Sequence, residues 1–172
     1  MPLAEGFEEI EAMSVISVLR GNGITLDTVG IAGGIVSSES GTKVVTDRRL
    51  PDIREEEYDG IVIPGGRGCN GLERSKAIMD MIRYFNDNGK LVAGICFAPM
   101  VLAKAGVLDN RKATVYPGHE KEIPYPRSEK VVVDGNVITS QGPANSLEFA
   151  LTIVERLLGK EKAEKSRRFL LA

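Results

Sequence analysis

Cys96 occupies the most chemically suggestive position in the chain. It directly follows the apolar run Leu91-Val92-Ala93-Gly94-Ile95 and precedes Ala98-Pro99. A buried strand that turns at once into a helix lifts the turn residue to the upper edge of a sheet, which is the mechanics of a nucleophile elbow. The N–H groups and dipole of the following helix favour thiolate over thiol, so the spacing predicts a thiol lowered from about 8.5. A small buried core cysteine accounts for the same run.

Glu11 is the second candidate. Its helical line continues into Val15 and Val18, which turns the carboxylate toward the interior. A buried carboxyl favours its protonated form, and near a sulfur it can donate or accept a proton. Glu8 and Glu9 suit the ordinary role of first-turn acids facing a helix dipole. Pro64-Gly65-Gly66 ends another apolar run. Glycines there let backbone N–H groups face a ligand, as in an oxyanion hole, although tight turns use the same residues. The Lys-Ser/Thr of a phosphate loop is missing.

His119 is the only histidine and lies in the polar stretch Gly118-His119-Glu120-Lys121-Glu122. It is either a partner for Cys96 or a solvated loop residue. Cys69 is either a resolving cysteine or an ordinary loop cysteine. Two cysteines and one histidine in unrelated segments give no zinc spacing, so neither metal nor cofactor is expected.

The elements that must position these residues follow from periodicity. Glu9 to Arg20 reads as a helix apolar on two sides, with Ile10, Met13, Ile16 and Leu19 on one stripe. Ile24 to Ile31, Gly60 to Ile63, Leu91 to Ile95 and Ala113 to Tyr116 read as strands, with Thr42 to Val45 as one arm of an edge hairpin. Asp47 to Asp59 reads as a surface connection. Ser75 caps a helix that ends near Asn88-Gly89, and Ala98 to Ala105 forms another. Residues 130–134 and 137–140 flank a Gly135-Asn136 turn and form a hairpin. Asn145 or Ser146 caps a last long helix, Gly159 ends it, and a charged tail follows. Apolar strands alternating with amphipathic helices predict α/β with a mostly parallel sheet, and ligands beyond the carboxyl ends of its strands.

The chain of 172 residues predicts one domain spanning 1–172, with room for a substantial core. Lys+Arg is 22 and Asp+Glu is 24, a formal charge of −2 that offers no basic excess for nucleic acid. No apolar run approaches a membrane span of ~18 residues, no signal peptide is evident, and two cysteines build no disulfide framework. A cytoplasmic, reducing setting is expected.

Several ordered segments together resemble the ThiJ/PfpI superfamily, nearest the branch of the parkinsonism-associated protein deglycase and its bacterial relatives. The matching segments are Leu3-Ala4-Glu5-Gly6-Phe7-Glu8-Glu9-Ile10-Glu11, Val62-Ile63-Pro64-Gly65-Gly66, Ala93-Gly94-Ile95-Cys96-Phe97-Ala98-Pro99, Thr139-Ser140-Gln141-Gly142-Pro143 and Glu148-Phe149-Ala150-Leu151. The resemblance implies a flavodoxin-like (Rossmann-like) three-layer sandwich working as a homodimer. It implies that Cys96 is the nucleophile and that Glu11 is a protonated carboxyl hydrogen-bonded to it. Gly66 and Phe97 would supply backbone donors at the sulfur, a pocket that also stabilises a sulfinate. The implied activity is glyoxalase or protein-deglycase hydrolysis through a Cys96 hemithioacetal, with small aldehydes or glycated protein or nucleotide as substrates. A redox-sensing stress chaperone acting through Cys96 oxidation is the alternative.

Three positions depart from the family pattern. Peptidase-branch members carry His directly after the cysteine, where this chain has Phe97, so peptidase activity is not expected. Deglycase-branch members often place His before the proline occupied here by Pro117. This chain has Tyr116 there and His119 three residues later, so either is an auxiliary candidate. The first strand is also a stub: four residues before Glu5 span at most about 14 Å, and Pro2 has no ladder donor. The expectation is a true start upstream, the alternative being a sheet that lacks most of a central strand.

Overall fold

The computed structural model describes residues 1–172. In chain order, β1 (Pro2–Leu3) leads into α1 (Glu9–Gly21), followed by β2 (Val29–Gly30), the hairpin β3 (Ile35–Ser37) and β4 (Lys43–Val45), and β5 (Arg48–Arg49). Next come β6 (Gly60–Ile63), α2 (Cys69–Arg74), α3 (Lys76–Asp87), β7 (Leu91–Ile95) and α4 (Ala98–Lys104). The remainder is β8 (Lys112–Ala113), β9 (Tyr125–Pro126), β10 (Val131–Asp134), β11 (Val137–Ser140), α5 (Ser146–Leu158) and α6 (Lys160–Leu170).

The architecture is a three-layer α/β sandwich with a mostly parallel sheet. β6, β7 and β11 run parallel side by side, and β10 adds an antiparallel edge through the Gly135-Asn136 turn. β1, β2 and β5 form a second parallel ladder. Alternate side chains of β6 and β7 enter opposite cores. Val62, Ala93 and Ile95 pack with Val15, Leu19, Phe149 and Ile153 of α1 and α5. Ile61, Ile63 and Val92 pack with Ile78, Ile82 and Leu102 of α3 and α4. Burial on both faces is why these strands are continuously apolar. Ser75 caps α3 by accepting a hydrogen bond from Ile78 N–H. No helix is long and apolar enough to cross a membrane.

Several sequence expectations are corrected. α1 is not apolar-buried on both sides. Its Glu11, Ala12, Val15, Val18 and Leu19 line is buried, whereas Ile10 is 56% and Met13 36% exposed. Ile24 to Ile31 narrows to Val29–Gly30, because only that stretch finds β1 and β5 beside it. Ala113 to Tyr116 becomes Lys112–Ala113, since Tyr116 N–H turns away to the Cys96 carbonyl. The supposed surface connection contributes Arg48–Arg49 to a ladder. Asn145 does stand at the N-cap of α5, but without a side-chain capping bond, and the Ser146 hydroxyl donates to the Pro143 carbonyl instead. Beyond Gly159 the charged tail folds as α6, held to α5 by a two-bond Arg167–Glu148 pair at 2.7 and 3.0 Å and to α1 by Asn22 donating to Ser166. β1 is indeed short: it pairs with β2 alone and forms no ladder with β6.

Candidate active site

The carboxyl ends of β6 and β7 bring together four segments distant in sequence. Ile95 is the last residue of β7, and Cys96 turns the chain with φ of +63°, a left-handed conformation unusual for a residue with a Cβ. Two hydrogen bonds hold it there. Cys96 N–H donates to the Ser140 carbonyl at 2.9 Å, and Tyr116 N–H donates to the Cys96 carbonyl at 3.0 Å. Such strain costs about 1–3 kcal/mol and persists only where the surroundings over-determine it.

Glu11 reaches the same point from the first turn of α1. It is fully buried, and its Oε2 accepts Gly65 N–H at 2.6 Å, while Oε1 has no protein partner. The helix start is fixed by Glu8, whose carboxylate accepts Glu11 N–H at 2.7 Å. The segment before α1 is locked to the glycine loop: Glu8 N–H donates to the Gly65 carbonyl, and Phe7 bridges Gly66. Gly66, with φ of +87°, lies so close to the Gly6 carbonyl that a Cβ would stand 2.5 Å from it.

Gly65 was legible as part of the Pro64-Gly65-Gly66 loop, but its packing between the thiol and the carboxyl was not. A Cβ there would stand 2.5 Å from Cys96 Cβ, 2.7 Å from Glu11 Oε2 and 3.0 Å from Cys96 Sγ. Thus the thiol and carboxyl share one glycine-sized space. The available signal was that Pro64 is followed by two glycines, of which the turn needs only Gly66 with its positive φ. Gly65→Ala is expected to lower stability by about 1–3 kcal/mol, the usual cost of overpacking, and to abolish site chemistry. Gly21→Ala, which meets nothing within 4 Å, serves as the control. Denaturant midpoints of the two variants check this, and equal midpoints would refute it.

Burial pushes the Glu11 carboxyl up to about 7, against the opposing Gly65 N–H bond. Burial, then the nearby Glu11 charge, pushes the Cys96 thiol up to about 12, despite backbone N–H donation from Gly66 and Phe97 that favours the thiolate. This corrects the expected lowering. α4 is a short helix of 7 residues, and its dipole does not offset desolvation of the sulfur. The pair therefore carries at most one negative charge, and the proton has two nearby homes.

Of the sequence candidates, Cys96, Glu11, Gly66 and the Phe97 backbone converge. Tyr116 and His119 join only through the Phe97 ring, at centroid distances of 5.2 and 5.1 Å. Neither the Tyr116 hydroxyl nor the His119 imidazole hydrogen-bonds Cys96. A cavity of about 310 Å³ opens beside them, lined by Gly66, Arg67, Cys69, Phe97, Met100 and His119 among others. Cys69 is buried, its thiol donating to the Pro64 carbonyl at 3.5 Å, and burial raises its pKa.

An elbow cysteine facing a buried carboxyl, on a parallel sheet flanked by helices, is the framework of a flavodoxin-like sandwich with a thiol site at its carboxyl edge. Residues 1–156 match the DJ-1/PfpI family, and the chain belongs to that family. Protein dj-1beta of Drosophila melanogaster is 38% identical, covering 98% of this chain and 94% of the relative. Glutathione-independent glyoxalase DJR-1.2 of Caenorhabditis elegans is 35% identical over 92% of this chain and 87% of its own length. The solved structure of oxidized Toxoplasma gondii DJ-1 superposes with a TM-score of 0.95 at 36% identity, covering 99% of this chain and 95% of that one.

Proposed function

We propose that this protein converts small α-oxoaldehydes, free or as early adducts on protein or nucleotide, to hydroxy acids through Cys96. The observation that carries the reading is the buried Glu11 carboxyl with its pKa near 7, packed with the Cys96 sulfur against Gly65. An acid poised near the working pH is the condition for efficient proton transfer. The family and the glyoxalase-named relative support the same chemistry.

Ionised Glu11 takes the Cys96 proton as sulfur attacks the aldehyde carbon. The S–C bond forms, the carbonyl π bond breaks, and the oxygen takes up a proton to give a hemithioacetal. Gly66 and Phe97 N–H groups, which favour a charged sulfur, lower the cost of the thiolate. Glu11 next moves a proton from the former aldehyde carbon to its neighbour through an enediol, while the hydroxyl proton on that carbon is given up and the neighbouring oxygen takes one up, giving the thioester of a 2-hydroxy acid. Water cleaves that thioester, the thiol is restored, and no net oxidant or reductant is consumed. Tyr116 and His119, which pack on the Phe97 ring, are candidate orienting groups. The test is lactate formation from methylglyoxal without glutathione.

We also propose that the working unit is a homodimer. Ile10 and Met13 on α1 and Ile35 and Val45 on the β3–β4 hairpin are exposed apolar side chains, and exposed apolar surface marks interaction sites. Sedimentation should give a dimer for the wild type and a monomer for Ile10→Asp. A wild-type monomer at micromolar concentration would remove this proposal.

A further inference from the structure

The cavity of about 310 Å³ is lined by Gly66 and Phe97, the two residues whose backbone N–H groups donate at the Cys96 sulfur. At about 30 Å³ per water it has room for roughly ten waters. A three-carbon aldehyde fills only a small part of that space. The apolar side of the cavity is rich in flat rings. Phe97 stands 5.2 Å from Tyr116 and 5.1 Å from His119 between centroids, and Met100 of α4 extends the same side. The Tyr116 ring is packed closely on the loop after β11, where a Cβ on Gly142 would stand 3.3 Å from it. Ring edges and a methionine thioether together favour contact with a further ring.

The charged side chains of the lining are unequally matched. Lys104 is neutralised by Glu73 at 2.6 Å. Arg67 has no such partner. Its backbone N–H donates to Glu39 Oε1 at 2.7 Å, which fixes the chain there. Its guanidinium makes no hydrogen bond: Nε lies 3.5 Å from the same oxygen, and the side chain is 76% exposed. A guanidinium is a planar fork of N–H donors that matches a carboxylate with two parallel bonds. The lining carboxylate without an ion pair is Glu122, whose N–H donates to the His119 carbonyl at 2.9 Å. Glu122 therefore repels an anion from the histidine end, and Arg67 attracts one to its own. Arg67 directly follows Gly66, so this cation and a backbone donor to the sulfur belong to one loop.

Taking the α-oxoaldehyde chemistry above, on which this inference rests, we propose that the preferred substrates are flat, ring-sized α-oxoaldehydes with a carboxylate at the end remote from the aldehyde. The aldehyde carbon meets Cys96, the ring lies along Phe97 and Met100, and Arg67 holds the carboxylate. Arg67 is then a specificity residue, outside the proton exchange between Glu11 and Cys96. The chemistry balances as it does for methylglyoxal. An arylglyoxal and one water give a mandelate, with the carbonyl of the ketone reduced by the hydrogen that leaves the aldehyde carbon, and no external oxidant or reductant.

The test compares initial-rate kcat/KM of the intact protein for 4-carboxyphenylglyoxal, phenylglyoxal and methylglyoxal, with the hydroxy acids measured by chromatography. A para-carboxylate hardly alters the reactivity of the aldehyde, so the two aryl compounds differ mainly in recognition. The carboxylated compound should exceed phenylglyoxal by about tenfold or more, the scale of one good charge-assisted pair, and phenylglyoxal should exceed methylglyoxal. Arg67→Gln should remove the carboxylate preference, mainly through KM, and leave the two uncharged substrates within about twofold. Arg67→Lys should restore part of it, because a point charge lacks the fork. Equal kcat/KM for the two aryl compounds in the wild type, or an equal loss on all three substrates in Arg67→Gln, would overturn the proposal. Methylglyoxal outpacing phenylglyoxal would overturn it too, and in each of these cases the α-oxoaldehyde reading stands. Turnover of none of the three would instead remove that reading, and this proposal with it.

Discussion

Cys96→Ser is expected to reduce lactate production from methylglyoxal by about 10³-fold or more, the scale on which single covalent nucleophiles act. Serine fits the same volume, so the loss should come without unfolding. A hydroxyl in this buried position has no comparably accessible anion, and Glu11 is too weak a base to supply one. The strained φ of +63° and the bonds to Ser140 and Tyr116 belong to the backbone and survive the substitution. Circular dichroism and denaturant midpoints close to wild type, with activity gone, are the expected pair of results. Full activity in the variant would remove the mechanism. The same variant addresses the redox alternative. Mild peroxide should add two oxygens, about 32 Da, to the wild type and none at this position in the variant. Such a product without carbonyl turnover would favour the sensor reading.

Glu11→Gln is expected to have two separable effects. Activity should fall by about 10²–10⁴-fold, the usual contribution of a positioned acid–base group. Stability should move in the opposite direction above neutral pH. Burial raises the Glu11 carboxyl from 4.5 to about 7. Between these values the native protein holds a proton that the unfolded chain has released. The unfolded state then binds fewer protons, so stability falls as pH rises. The favourable contribution is complete below 4.5 and lost by about 7, a swing of about 3 kcal/mol. Glutamine has no charge to desolvate, so the variant should match the wild type near pH 4 and exceed it near pH 8. The Met1 amine, lowered from 8.0 to about 5, acts with the opposite sign between those values. The difference between the two proteins, rather than either profile, therefore isolates Glu11. Denaturant midpoints at pH 4, 6 and 8 provide the measurement, and parallel profiles would show that Glu11 is not buried as a carboxyl. In the wild type, the rate should rise with pH through about 7, as ionised Glu11 becomes available as the base.

Much of this site was legible from one dimension. The run Leu91 to Ile95 followed by Cys96 specified a buried strand and a sharp turn at its carboxyl end, because continuous apolarity needs cover on both faces; that the turn residue itself is buried was not legible. The line from Glu11 through Val15 and Val18 specified an inward carboxyl, because a helix repeats its faces at i, i+4 and i+7. Gly66 declared itself through Pro64-Gly65-Gly66, where backbone must approach closely. The residues on which the two cores depend, such as Val62 and Ile63, followed from the same patterning.

Other features depended on contacts that no local pattern encodes. Strand length was one: Ile24 to Ile31 is β-competent throughout, but only Thr28 to Ile31 bonds to neighbouring strands, with Val29–Gly30 in the ladder. The face of α1 was another, since Ile10 and Val15 look alike in sequence and only the position of α5 decides which is buried. The charged tail became α6 because Glu148 and Asn22 lay within reach of Arg167 and Ser166. The proton balance changed most. A helix start after Cys96 suggests a lowered thiol, and the fold instead removes water from the sulfur and sets Glu11 beside it. Sequence alone supplied which groups could exchange a proton, because residue type and periodicity are local properties. Only the tertiary structure decided where that proton rests, because desolvation and charge–charge repulsion depend on distances between segments far apart in the chain.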